Sequence, residues 1–185
     1  AIIHDTIKNQ ISHHRVGRPI NVDAAKEYFI GKMKHAKENP DKYVVQEANG
    51  IKIENKVFDD AIEDGINQIE RFFNTIWPNY SNLSYISHED IESFFIDNIK
   101  VWVKLDLFSE TEKGIKVVTD WKTGKDPENF NNPDEDIQMA TYMLWVKYKY
   151  NNIPIENIAT ELDYLKSGNI VHPKISEDRL EKIKD

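Results

Sequence analysis

Residues 101–123, VWVKLDLFSETEKGIKVVTDWKT, constrain the fold of this chain more than any other stretch. Val101, Val103, Leu105 and Leu107 alternate with Trp102, Lys104, Asp106 and Phe108, the two-residue period of a strand. The polar turn SETEKG closes at Gly114, and residues 115–121 read as the returning strand. The hairpin sets Asp106 beside Asp120. It also puts Asp120 and Lys122, two apart, on one face, with Trp121 turned to the other. Two carboxylates in one small volume repel each other and cost stability unless a cation lies between them. Oxygen donors of this kind suit Mg²⁺ or Mn²⁺. A lysine beside such an ion is placed to orient or deprotonate a water and to stabilise charge building on phosphate. The plainer reading is an exposed hairpin end with a surface Asp–Lys pair. A DxK triplet alone is weak, and the second aspartate and the apolar returning strand are what favour a site.

The pattern elsewhere predicts a mixed α/β chain. Ile3, Ile7 and Ile11 mark one face of an opening helix over 2–14. Asn21 or Asp23 caps a second helix carrying Ala25, Tyr28, Phe29 and Met33, with Pro40 after its end. A third, about 57–76, carries Val57, Ala61, Ile62, Ile66, Ile69, Phe72, Phe73 and Ile76 and stops at Pro78. Residues 83–86 and 91–96 read as strand, broken at His88-Glu89-Asp90. A polar loop, 124–133, long enough to cover a site, precedes a helix over 134–150. Residues 158–165 and 169–172 form a second hairpin around Lys166-Ser167-Gly168, and a polar helical tail starts at Ser176.

Composition narrows the function. The length, 185 residues, suits one domain with a real core, residues 1–185. The chain opens at Ala1 in mid-pattern, so an excised or processed fragment is one expectation. No apolar run approaches a membrane span, and no signal-peptide pattern is present, so no membrane partner is expected. The absence of cysteine excludes disulfides, thiolate zinc sites and a cysteine-held iron–sulfur cluster, and fits a reducing cytoplasm. A net charge of −8 argues against a surface that coats nucleic acid nonspecifically. It leaves room for local cationic patches, of which His13, His14, Arg15 and Arg18 form one and Lys147 and Lys149 another. Each patch alone reads more simply as solvated surface. Gln138 and Tyr142, four apart on the predicted helix, share a face and have the groups to bind phosphate or ribose oxygens, or to form a polar edge of the core. His4 lies off the isoleucine face; a helical histidine is more often structural, yet its imidazole is also a nitrogen ligand that tilts preference toward Mn²⁺.

These residues resemble the PD-(D/E)XK nuclease superfamily, and most closely its RecB-like exonuclease branch. The resemblance runs from His4 in AIIHDTI through Asp106 in VKLDLF and Asp120 and Lys122 in VVTDWKTGK. It continues through Gln138 and Tyr142 in QMATY to the hairpin ELDYLKSGNIV, nearly the whole chain. It implies a restriction-endonuclease-like core, a central mixed β-sheet flanked by helices. It implies Asp106 as bridging metal ligand and Asp120 as second acidic ligand, with the backbone carbonyl of Trp121. Lys122 would be the catalytic lysine, His4 an extra metal ligand, and Gln138 and Tyr142 the motif that positions DNA. Glu89 is a weaker candidate for a further acidic position. The implied activity is Mg²⁺- or Mn²⁺-dependent hydrolysis of DNA, in repair, recombination or phage DNA metabolism. A helicase or recombination partner would lie outside this chain. The alternatives are a structure-specific endonuclease and a non-catalytic DNA-binding scaffold. The chain departs from cluster-bearing members of the branch, which carry four cysteines, and from members with a segment before the first helix.

Overall fold

The computed structural model describes residues 2–39, 55–88, 91–127 and 133–184, in two compact units, residues 1–75 and 76–185. The first unit holds α1 (Ile2–Arg15), α2 (Val22–Glu38) and α3 (Asn55–Arg71). Ile7 and Ile11 bury the α1 stripe, with Ile3 half-buried at its end. Asn21 caps α2 by accepting from the Ala24 N–H at 2.9 Å, satisfying one of the free donors of the first turn. Phe29 of α2 lies over Gly65 of α3, where a Cβ would come within 2.2 Å of the ring. Gly65 therefore stands where the two helices approach too closely for any side chain. The expected third helix differs in detail. The α-helix ends at Arg71, and a π-turn over Phe72–Ile76 adds a residue that brings Phe72, Phe73 and Ile76 all to the interior. Pro78 sits inside the 3₁₀ turn that follows, Trp77–Asn82, and Val57 and Ala61 at the start of α3 are exposed.

The second unit is built on a five-stranded mixed sheet. Its strands are β1 (Leu83–His88), β4 (Leu107–Thr111), β5 (Lys116–Lys122), β6 (Ile158–Tyr164) and β7 (Asn169–Val171), in that spatial order. All neighbours are antiparallel except β5 and β6, which run parallel and are joined through α4 (Pro133–Lys149). A separate hairpin, β2 (Ile91–Ile96) and β3 (Ile99–Lys104), is inserted between β1 and β4. The single strand expected over residues 101–108 is thus two. Leu105 and Asp106 carry the chain from the hairpin to the main sheet, and the alternation changes phase there: Val103 and Leu105 lie in the core, and beyond the break Phe108, paired with Val118, joins that core while Leu107, paired with Thr119, faces the other side. That core gathers Phe94 and Val103 of the hairpin, Phe108, Val118 and Leu162 of the sheet, and Met139, Met143, Trp145 and Val146 of α4. The last helix, α5 (Glu177–Lys184), adds Leu180. Among the described residues, no helix is long and apolar enough to cross a membrane.

Candidate active site

Successive residues of β5 face opposite sides of the sheet. Val118, Asp120 and Lys122 look toward α4; Val117, Thr119 and Trp121 look away. The register Leu107↔Thr119 is the last rung between β4 and β5. Two residues further, the Trp121 N–H has lost its partner strand, and the Asp106 carboxylate takes the place of the missing acceptor at 2.8 Å. The departure of the chain at Leu105–Asp106 is thus what sets one aspartate against the strand carrying the other. Asp106 and Asp120 are each only 6% exposed.

The α4 face completes the group. Lys122 Nζ lies 2.8 Å from Asp120 Oδ2 and donates to Gln138 Oε1 at 2.7 Å. The Gln138 amide donates to Asp120 Oδ1 at 2.9 Å and to the Tyr142 hydroxyl at 2.8 Å. Tyr142 in turn donates to the carbonyl of Lys104, the last residue of β3, at 2.8 Å. Burial, and then the charge of Asp120, raise the Tyr142 phenol above its ordinary range, so it serves as a neutral hydrogen-bonding group. One glutamine therefore joins lysine, carboxylate and phenol. The i, i+4 spacing of Gln138 and Tyr142 put both on one face, as expected, and that face is the one turned to β5.

The second unit thus brings together Asp106, Asp120, Lys122, Gln138 and Tyr142. His4 lies half-buried on α1 of the first unit. Trp121 is buried on the opposite face, and its N–H makes the contact to Asp106. Glu89 and residues 128–132 of the expected covering loop lie outside the described residues. Lys147 and Lys149 are engaged in ion pairs, with Glu177 at 2.7 Å and Glu92 at 2.8 Å, which ties that cationic patch to surface packing.

Behind the site lies a network that reading the sequence missed. Glu161 and Asp163 of β6 face the Thr119–Trp121 side of the sheet. Thr119 donates to Glu161 at 3.3 Å, and His172 Nδ1 lies 3.7 Å from its other oxygen. The Tyr80 hydroxyl donates to Asp163 Oδ2 and accepts from the Trp121 indole N–H at 3.4 Å. Burial, and then the neighbouring Glu161, push the Asp163 carboxyl up to about 8. Burial raises Glu161 as well, against the opposing pull of His172. Two acids at i, i+2 within the apolar run IATELDYL were the available signal, since they place two carboxylates on one face of a buried strand.

The donor set is oxygen-rich and anionic. Among the described residues no three His, Cys, Asp or Glu side chains stand grouped to hold an ion. Two carboxylates with a main-chain carbonyl and waters match the way Mg²⁺ is held, since that ion keeps much of its hydration. The residues present therefore fit a hard divalent cation.

A mixed sheet with an acid pair and a lysine at one end, covered by a helix, defines an α/β domain of the restriction-endonuclease-like class. The chain belongs to the PD-(D/E)XK nuclease superfamily, whose family model matches residues 3–184. No match was found among curated proteins.

Proposed function

We propose that the protein is a metal-dependent deoxyribonuclease of the RecB-like exonuclease kind, hydrolysing DNA phosphodiesters with Mg²⁺ or Mn²⁺. The observation that supports it most is the single hydrogen-bonded group of Asp120, Lys122, Gln138 and Tyr142, with Asp106 docked on the same strand. Two nearly buried carboxylates at one strand end, one of them paired with Lys122, repel each other and cost stability unless a cation lies between them.

In this reading Asp106, Asp120 and the Trp121 carbonyl would hold the ion. Such an ion, when bound, would supply a water of lowered pKa and polarisation of the phosphoryl oxygen. Lys122 would orient the attacking water and stabilise negative charge as it builds on the phosphate. Gln138 fixes the direction of the ammonium and of Asp120, while Tyr142 ties both to the end of β3. By analogy with the superfamily the product carries a 5′-phosphate. The match across residues 3–184 supports one nuclease domain comprising both units. Repair, recombination or phage DNA metabolism in the cytoplasm, with a helicase or recombination partner on another chain, is the setting we propose.

The test is cleavage of labelled linear and covalently closed circular DNA, with and without Mg²⁺ or Mn²⁺. Loss of linear DNA only when the ion is present, with the circle intact, is the expected result. Loss of the circle turns the reading to an endonuclease. No cleavage by the folded protein under any ion turns it to a DNA-binding scaffold.

A further inference from the structure

The β2–β3 hairpin buries one face and leaves the other to solvent. Phe94 and Val103 point into the core at 2% and 3% exposure. The opposite face carries three rungs, Ile91↔Lys104, Ser93↔Trp102 and Phe95↔Lys100. On it Ile91 is 67% exposed, Phe95 53% and Trp102 62%. Apolar groups so exposed on a two-stranded ribbon add nothing to the core and call for another explanation. The face is also cationic: Lys100 and Lys104 are its only charged strand residues, and the Lys100 ammonium lies 4.2 Å from the centre of the Trp102 ring. This in a chain of net charge −8 is a local reversal of sign.

The face is continuous with the candidate site. Lys104 ends β3, its carbonyl accepts the Tyr142 hydroxyl, and Asp106 follows two residues on. From the hairpin turn inward the order is Phe95 and Lys100, Trp102, Lys104, then the carboxylates. We propose that this face is a track for single-stranded DNA, with bases stacking on Trp102 and Phe95 and phosphates meeting Lys100 and Lys104. The proposal rests on the nuclease reading above and names the form in which the substrate strand approaches.

Aromatic rings interleaved with cations are the chemistry that holds an unpaired strand, because every base has a π-face and every step a negative charge. Duplex bases are already stacked and offer nothing to Trp102. A second copy of the chain fits poorly. A two-fold contact sets Lys100 and Lys104 against their equivalents, and three apolar residues fall well short of the area a stable dimer buries.

The experiment is anisotropy with labelled oligo-dT in Ca²⁺, so that binding is read without turnover. Substitutions at Trp102 are checked by circular dichroism and by melting. Wild type should bind oligo-dT more tightly than a duplex of equal length. Trp102→Leu, which keeps apolar bulk and loses the π-face, should weaken binding by about 5- to 100-fold, while Trp102→Phe restores most of it. Lys100→Gln with Lys104→Gln should lower the slope of log affinity against log salt by about 0.7 per lysine. Equal binding by folded Trp102→Leu, tighter binding of duplex, or a dimer that Trp102→Leu dissolves would each overturn the proposal. Cleavage that persists with these binding results absent would leave the nuclease reading standing alone. Binding without cleavage in Mg²⁺ or Mn²⁺ would do the reverse.

Discussion

Gln138→Leu removes one side chain and three polar contacts at the centre of the candidate site. Its amide oxygen holds Lys122 at 2.7 Å, and its amide nitrogen holds Asp120 at 2.9 Å and Tyr142 at 2.8 Å. Hydrogen bonds to charged groups each contribute about 1.5–3 kcal/mol when the partner cannot be rehydrated. Here Lys122 is 22% exposed and keeps its pair with Asp120, and Tyr142 keeps the Lys104 carbonyl, so water and these contacts recover a large part. The fold should therefore lose only about 1–2 kcal/mol. Catalysis should lose more, because Lys122 and Asp120 no longer have one fixed direction at the reacting phosphate. Loss of about 2–3 kcal/mol of orientation lowers the chemical step by about 30- to 150-fold. Single-turnover cleavage of labelled DNA at saturating Mn²⁺ reads that step, and urea melts read the fold. A Gln138→Leu protein that is folded and cleaves within twofold of wild type would refute the role assigned to Gln138.

Three further outcomes are expected. Asp163, ordinarily near 3.8, is pushed up to about 8, so the folded chain holds a proton that the unfolded chain releases between those values. Stability should therefore fall as pH rises from about 4 to about 8, by up to about 1.4 kcal/mol per pH unit from this group, and Asp163→Asn should flatten the profile in urea melts. Mn²⁺ at about a hundred times its dissociation constant should stabilise wild type by about 2.7 kcal/mol and raise its melting temperature, and Asp106→Asn should abolish most of that shift. Gly65→Ala forces a methyl into the Phe29 ring, and despite better helix propensity it should destabilise by about 1–3 kcal/mol in thermal melts.

What the sequence disclosed followed periodicity and spacing. The two-residue pitch around Asp106 and Asp120 was legible, as was the pairing of Gln138 with Tyr142, because each depends on the geometry of one element. The break at Leu105–Asp106 was not, because the buried apolar run of Leu105, Leu107 and Phe108 gives no local sign of where the phase changes and the chain hands over to a second sheet packed on the same core. Pairing of β1 with β4 across an inserted hairpin is likewise a tertiary choice with no local signal. The bridging role of Gln138 depends on where α4 lands on β5, and the π-turn at Phe72–Ile76 on which of three aromatic and aliphatic side chains the core demands. Asp163 and Glu161 were legible only as acids in an apolar strand; that Tyr80, eighty-three residues away, would close over one of them was not.

In the function proposed above, the Asp106–Asp120 pair and Lys122 form a cutting site for DNA. The most direct measurement is the single-turnover rate of Mn²⁺-dependent cleavage of end-labelled linear DNA by wild type and by Lys122→Ala, matched for melting temperature. Wild type should cleave, and the variant should lose at least about a hundredfold in rate, the scale of losing one charge-stabilising group, with its fold intact. Equal rates in the two proteins would contradict that function.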